Sequence, residues 1–126
     1  DIPLRGNRPM ARQGRLAEEF ACRYLQQRGL RLLARNYHCR RGEIDLVMKD
    51  RDSIVFVEVR FRRNVRFGTA AETVDRAKQS RLIAAANHYL LCHTEAARRP
   101  CRFDVVSIIA PAGAPNVQWI RDAFQT

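Results

Sequence analysis

GEIDLVMKDRDSIVFVEVRF, residues 42–61, decides the architecture. Residues 43–49 and 53–61 are rich in β-branched side chains and alternate in polarity, so each predicts a strand. Arg51-Asp52 predicts the tight turn between them. A turn symmetric about that pair sets Asp50 opposite Ser53. Counting outward, it sets Asp45 opposite Glu58 and Glu43 opposite Arg60. Two acids inside apolar strands then share one face, their Cβ atoms about 4.5–5.5 Å apart. Like charges so placed repel, so one must take up a proton or a cation must sit between them. Two carboxylates at that spacing suit Mg²⁺ or Mn²⁺, which prefers oxygen ligands, keeps some water and accepts phosphate oxygens. The competing reading is a solvated face where arginines neutralise both acids. Apolar residues on both faces of the second strand up to Val57 argue for a covered face instead.

The rest of the chain is read outward from this hairpin. Residues 11–29 predict a helix with the stripe Leu16, Ala17, Phe20, Ala21, Tyr24 and Leu25, stopped by Gly29. On its wheel Glu18 borders the stripe and is directed toward the sheet, while Glu19 points to water. Residues 31–38 predict a strand, 39–42 a basic turn and 62–70 an Arg-rich loop. Residues 71–92 predict a second helix, with Thr69 as the cap candidate and a stop before Pro100. Its inward face is Val74, Leu82, Ala85 and Tyr89, and Lys78 lies in the middle of it. A lysine there either snorkels to water or meets a carboxylate of the sheet. Residues 102–110 predict a buried strand, 111–115 a loop and 117–120 a short last strand. The order α-β-β-β-α-β-β predicts an α/β sandwich with a mixed central sheet flanked by helices.

A chain of 126 residues builds one core. Residues 13–126 are read as that single domain, and residues 1–12 as a flexible basic arm. Apolar runs stay well below the roughly 18–20 residues of a membrane span, and no signal-peptide core follows the first residues. The expectation is a cytoplasmic protein without a membrane partner. There are 23 basic against 13 acidic residues, net +10. Residues 1–102 hold 22 of the basic ones against 11 acids, and only Lys49 and Lys78 are not arginine. Arginine forks suit phosphates, so a polyanion is the expected partner, with nucleic acid the default. The four cysteines, at 22, 39, 92 and 101, include no CxxC pair. His88, Cys92, His93 and Cys101 match no zinc spacing, so no zinc is expected and the thiols are read as reduced.

An acidic helix residue, a strand Asp, then Glu-x-Lys on the next strand is the pattern of the PD-(D/E)xK nuclease superfamily. Glu18, Asp45 and Glu58-Val59-Arg60 resemble it in that order. The wider text resembles the YraN-type family of small endonuclease-like proteins. The matching pieces are Gly14, Glu18, Ala21 and Tyr24-Leu25, GEIDLV from Gly42, FVEVRFRR from Phe56, Phe67-Gly68, Lys78-Gln79, and RFDVV from Arg102. The likeness runs from about residue 13 to 124. It implies a restriction-endonuclease-like fold, related to archaeal Holliday-junction resolvases. It further implies a metal-dependent nuclease acting on branched or otherwise structured DNA. Asp45, Glu58 and the Val59 carbonyl would hold Mg²⁺ or Mn²⁺, and Glu18 would complete the shell. Arg60 stands where the pattern has lysine; it stays protonated and cannot act as a base, so Lys78 is the candidate substitute. The segments around Arg40-Arg41, Arg62, Arg63, Arg66 and Arg98-Arg99 would track the DNA backbone. Resolvase-like cutting of two strands would call for a homodimer. The alternative, favoured by Arg60, is a nucleic-acid-binding module on a nuclease fold with weak or absent catalysis.

Overall fold

Strands form where the alternating stretches predict them, and helices cover both faces of the sheet they build. A computed structural model of the chain describes residues 9–62, 74–109 and 116–126. The hairpin strands are β2 (Gly42–Asp50) and β3 (Ser53–Arg62), preceded by α1 (Pro9–Gln27) and β1 (Arg31–Cys39). They are followed by α2 (Arg76–Cys92), a one-turn α3 (Thr94–Ala97), β4 (Cys101–Ile109) and β5 (Asn116–Phe124). The sheet order is β1-β2-β3-β4-β5. All neighbours are antiparallel except β3 and β4, which run parallel because α2 and α3 cross between them. The sequence order is thus found with one addition, α3, and with a last strand twice as long as expected. The first helix starts at Pro9, inside the segment read as an arm; residues 1–8 lie outside the described residues.

Two apolar clusters sandwich the sheet. Ala17, Ala21, Cys22 and Leu25 of α1 pack with Leu46, Met48, Val55, Val57 and Val106. Leu82, Ala85, Ala86 and Tyr89 of α2 pack with Val47, Ile54, Phe56 and Phe103 on the other face. The α1 stripe is therefore rotated from the expected one. Leu16 and Phe20 are exposed, at 64% and 39%, whereas Cys22 is fully buried. Small residues let the helix approach the sheet closely, so the contact follows Ala17, Ala21 and Cys22 rather than the bulkiest side chains. Glu18 sits within this buried arc, not at its border. The N-cap of α2 is Asp75, whose carboxylate accepts the Lys78 amide at 2.8 Å. The expected cap, Thr69, and the Arg-rich loop from residue 63 lie outside the described residues.

The hairpin keeps the expected register along five pairs, from Asp50↔Ser53 to Leu46↔Val57. There the ladder stops. Ile44 packs in the α2 cluster although Leu46, two residues on, packs in the α1 cluster. A flat strand would put both on one face. Beyond Asp45, β2 pairs only with β1. Asn36, bracketed with Asp45 by the pairs Arg35↔Leu46 and Tyr37↔Ile44, has φ of 49°, so the two strands turn over together. This carries Gly42 against α2, where a Cβ would collide with the Arg81 carbonyl. The glycine of GEIDLV thus serves a close backbone approach.

Candidate functional site

The peeling of β2 from β3 opens a fork, and Asp45 stands in its crotch. Its Oδ2 accepts the Val59 amide at 2.8 Å, a donor that the interrupted ladder no longer serves. Asp45 and Glu58 are thus not paired through the backbone as the turn symmetry predicts. Their side chains still meet. Glu58 points to the α2 face, is buried at 7% exposure, and shares a hydrogen bond with Asp45. Glu18 reaches the same carboxyl of Asp45 from α1, on the opposite face of the sheet. A continuous ladder would have separated those faces; the fork lets acids from both meet.

One cation answers these acids from α2. Lys78 Nζ lies 3.1 Å from Glu58 Oε2, so the lysine within the apolar stripe does meet a carboxylate of the sheet. Burial dominates the electrostatics of both acids. It pushes Asp45 up to about 7 against the Val59 hydrogen bond, with Glu18 pushing the same way and Lys78 opposing. Glu58 is also pushed up to about 7, by burial and then by Asp45, with Lys78 opposing. Two interacting carboxyls are thus raised toward neutrality, and Lys78 meets the pair at Glu58.

That donor set fits a hard divalent ion. Among the described residues no three His, Cys, Asp or Glu side chains form a ready-made cage. An ion such as Mg²⁺ is usually held by one or two carboxylates, with water and phosphate oxygens filling the remaining positions. Asp45 and Glu58 are the two carboxyls that could hold one, beside Val59, whose amide already binds Asp45. Burial, with the neighbouring acids adding to it, raises both carboxyls, and a bound cation would offset that cost of ionising them.

The remaining residues of the expected site are dispersed. Arg60 lies two residues beyond Glu58 on β3, with Ser107 of β4 as its ladder partner; Glu43 pairs across the ladder with His38. Arg40 and Arg41 form the exposed β1–β2 turn, at the end of β2 that leads into the fork. Arg62 ends β3 at the same end of the sheet. Arg63 and Arg66 lie outside the described residues. Arg98 and Arg99 lie at the other end, next to the β2–β3 turn. Arg99 is bound there by Asp52 and by Glu95 at 3.2 Å. The structure therefore does not bring Arg98 and Arg99 to the carboxylates.

Sequence reasoning passed over Asp104. It is 1% exposed, and its carboxylate accepts from Arg102 Nε at 3.0 Å, Trp119 Nε1 at 2.9 Å and the Asp122 amide at 2.9 Å. Arg102 also donates to Asp50 at 2.9 Å, tying the end of β2 to β4. The signal was available: an acid inside an apolar strand, the same feature that picks out Asp45 and Glu58.

Comparison with known proteins gives the chain its family. The profile described as "Uncharacterised protein family UPF0102" matches residues 17–108. A UPF0102 protein of Nitrosococcus oceani is 60% identical over 113 residues, covering 90% of this chain and 91% of that protein. One of Stutzerimonas stutzeri is 54% identical over 113 residues, covering 90% and 94%. One of Saccharophagus degradans is 49% identical over 111 residues, covering 88% and 91%. The match takes in the fork, α1 from residue 17, α2, α3 and most of the sheet, and on it the chain belongs to the UPF0102 family, the YraN-type group to which its sequence motifs point.

Proposed function

We propose that this protein is a metal-dependent nuclease acting on DNA, on a restriction-endonuclease-like version of the α/β/α sandwich. One observation supports the reading: Asp45 and Glu58 are brought together at the fork, both pushed up to about 7 by burial and by neighbouring acids, with Lys78 3.1 Å from Glu58. Asp45, Glu58 and the Val59 carbonyl would hold Mg²⁺ or Mn²⁺, and Glu18 would support it through Asp45. The bound ion would supply Lewis acidity and a more acidic water. The chain's own groups do the rest. Asp45, fixed through Oδ2 by the Val59 amide, would offer its carboxyl to the ion. Lys78 uses one N–H on Glu58 and has two more to orient the attacking water and offset charge on the phosphate. Arg60 remains a cation and stabilises charge without taking a proton. Arg40, Arg41 and Arg62 stand at the same end of the sheet to hold the flanking phosphates, and two copies would be needed to cut both strands of a junction.

The second reading is a binding module without catalysis, favoured by Arg60 at the position of the motif lysine. A cleavage assay on linear, flapped and four-way DNA with Mg²⁺ or Mn²⁺ separates the two. Under the nuclease reading wild type cuts, while Asp45→Asn and Glu58→Gln do not cut yet bind DNA as well or more tightly. Binding of every substrate with no metal-dependent cutting of any leaves the binding module. Affinity that hardly changes between low and moderate salt removes both readings, since phosphate contacts release counterions.

A further inference from the structure

A second feature adjoins the fork on its α1 side. A cleft of about 250 Å³ opens between α1 and β1, lined by Arg15, Leu16, Glu18, Glu19, Arg35 and Asn36. We propose that it is a nucleotide pocket taking one unstacked nucleotide of the strand being cut; this rests on the nuclease reading and narrows its substrate to DNA with a single-stranded or branched element.

Five properties of the cleft carry the inference. Arg15 and Arg35 are exposed, and neither is ion-paired to a carboxylate of the described residues, so two guanidinium forks are available to a phosphate. Arg35 is steadied by a contact from Nη2 to the buried Cys22 Sγ at 3.7 Å. Of the two acids in the lining, Glu19 is held by Arg23 at 2.8 Å and Glu18 is engaged with Asp45. Leu16 and Phe20, one helical turn apart, leave an apolar surface at and beside the cleft, the kind on which a base can stack. Asn36 adds an amide that both donates and accepts, held by the left-handed backbone that bends β1 opposite Asp45. Glu18 belongs to the cleft and also touches Asp45, so the cleft adjoins the carboxylates through that residue. A stacked duplex offers no free base to such a cleft; a flap, fork or junction arm does.

The probe is the 5′-phosphorylated thymidine dinucleotide, titrated into full-length Asp45→Asn protein in EDTA and followed by backbone amide NMR. Shifts centred on Glu18, Arg35 and Asn36 are expected, and Arg15→Ala with Arg35→Ala should weaken binding about tenfold. Both arginines are on the surface, so the paired variant keeps the fold and its spectrum remains dispersed. No shifts, shifts only around Arg40-Arg41, or equal binding by the paired variant overturns the pocket. In cutting assays the paired variant should lose about tenfold in kcat/KM on flapped DNA and less on uninterrupted duplex. If wild type cuts and the paired variant cuts flapped DNA equally well, the pocket fails and the nuclease stands. If the dinucleotide binds here but wild type cuts nothing, the nuclease fails and the pocket stands as a binding site.

Discussion

Two carboxylate clusters lie in the same five-stranded sheet, and they are built in opposite ways. Asp104 sits where the β4–β5 ladder shifts register, and donors surround it: Arg102, the Trp119 indole and the Asp122 amide. Asp45 sits where the β2–β3 ladder ends, receives the Val59 amide, and otherwise faces two acids and a distant ammonium. Both acids repair a break in a ladder by accepting a stray backbone N–H. Only one of them is then supplied with matching positive charge. A buried acid surrounded by its donors has no capacity left for a ligand, and its work is structural. A buried acid short of donors retains unspent affinity for a cation, and that shortage directs attention to the fork.

The same substitution, Asp to Asn, should therefore act with opposite sign at the two places. At Asp104 it leaves Arg102 partly uncompensated and turns an amide NH₂ toward N–H donors. We expect a loss of about 3–5 kcal/mol, the usual consequence of breaking a buried pair, read from urea unfolding at pH 7. A loss below about 1 kcal/mol would mean that the Arg102–Asp50 bond and the sheet alone hold β5, and the contrast would collapse.

At the fork, Asp45→Asn keeps an oxygen for the Val59 amide and removes one of the crowded charges. Asp45 and Glu58 have folded pKa values of about 7, above their ordinary 3.8 and 4.5, so the folded chain holds protons that the unfolded chain has released. Unfolding stability then falls as pH rises from about 4 to 7, and the penalty is fully present above that window. Without metal, wild type should be less stable at pH 8 than at pH 5, once the other groups are accounted for by the same scan on the variant. Asp45→Asn should flatten that slope and gain about 1–3 kcal/mol at pH 8. Added Mn²⁺ should stabilise wild type at pH 8, do little at pH 5, and do little for the variant. Parallel pH curves for the two proteins would show that the fork acids are already compensated.

How much of this was legible in the sequence depended on whether local pattern or tertiary approach set the feature. The register from Asp50↔Ser53 to Leu46↔Val57 was readable because a symmetric turn and strict alternation fix it. For Lys78 the pattern left two readings, water or a carboxylate of the sheet, and the approach of α2 to β3 decides for Glu58. The fork was not readable. EIDLV alternates as a straight strand would, and only the close approach of Gly42 to α2, together with the bend at Asn36, pulls it away from β3. The α1 face was misjudged for a similar reason. Leu16 and Phe20 are the bulkier hydrophobes, but a helix that lies close to a sheet makes contact through Ala17, Ala21 and Cys22. Fold class was thus set by patterns along the chain, and the site by a departure from them. The restriction-endonuclease-like form of the sandwich rests on the motif resemblance alone.

The smallest expected effect asks which cation completes the fork. Lys78→Met keeps the aliphatic stem within the α2 packing and deletes the ammonium 3.1 Å from Glu58. If Lys78 takes the part of the missing motif lysine, its loss should slow metal-dependent cutting at least about tenfold, roughly 1.4 kcal/mol of barrier. Since Lys78 lowers the pKa of Glu58, its loss should also move that group's titration further up. Arg60→Lys is the complementary change: it restores the motif residue two positions beyond Glu58 on the same strand, and cutting should persist or rise. Both changes together should recover part of what Lys78→Met loses, because either lysine can present N–H groups beside Glu58. Full-rate cutting by Lys78→Met would make the α2 lysine a neutralising partner in the resting protein only. Arg60 would then be the catalytic cation, and Arg60→Lys would have to change the rate in its place.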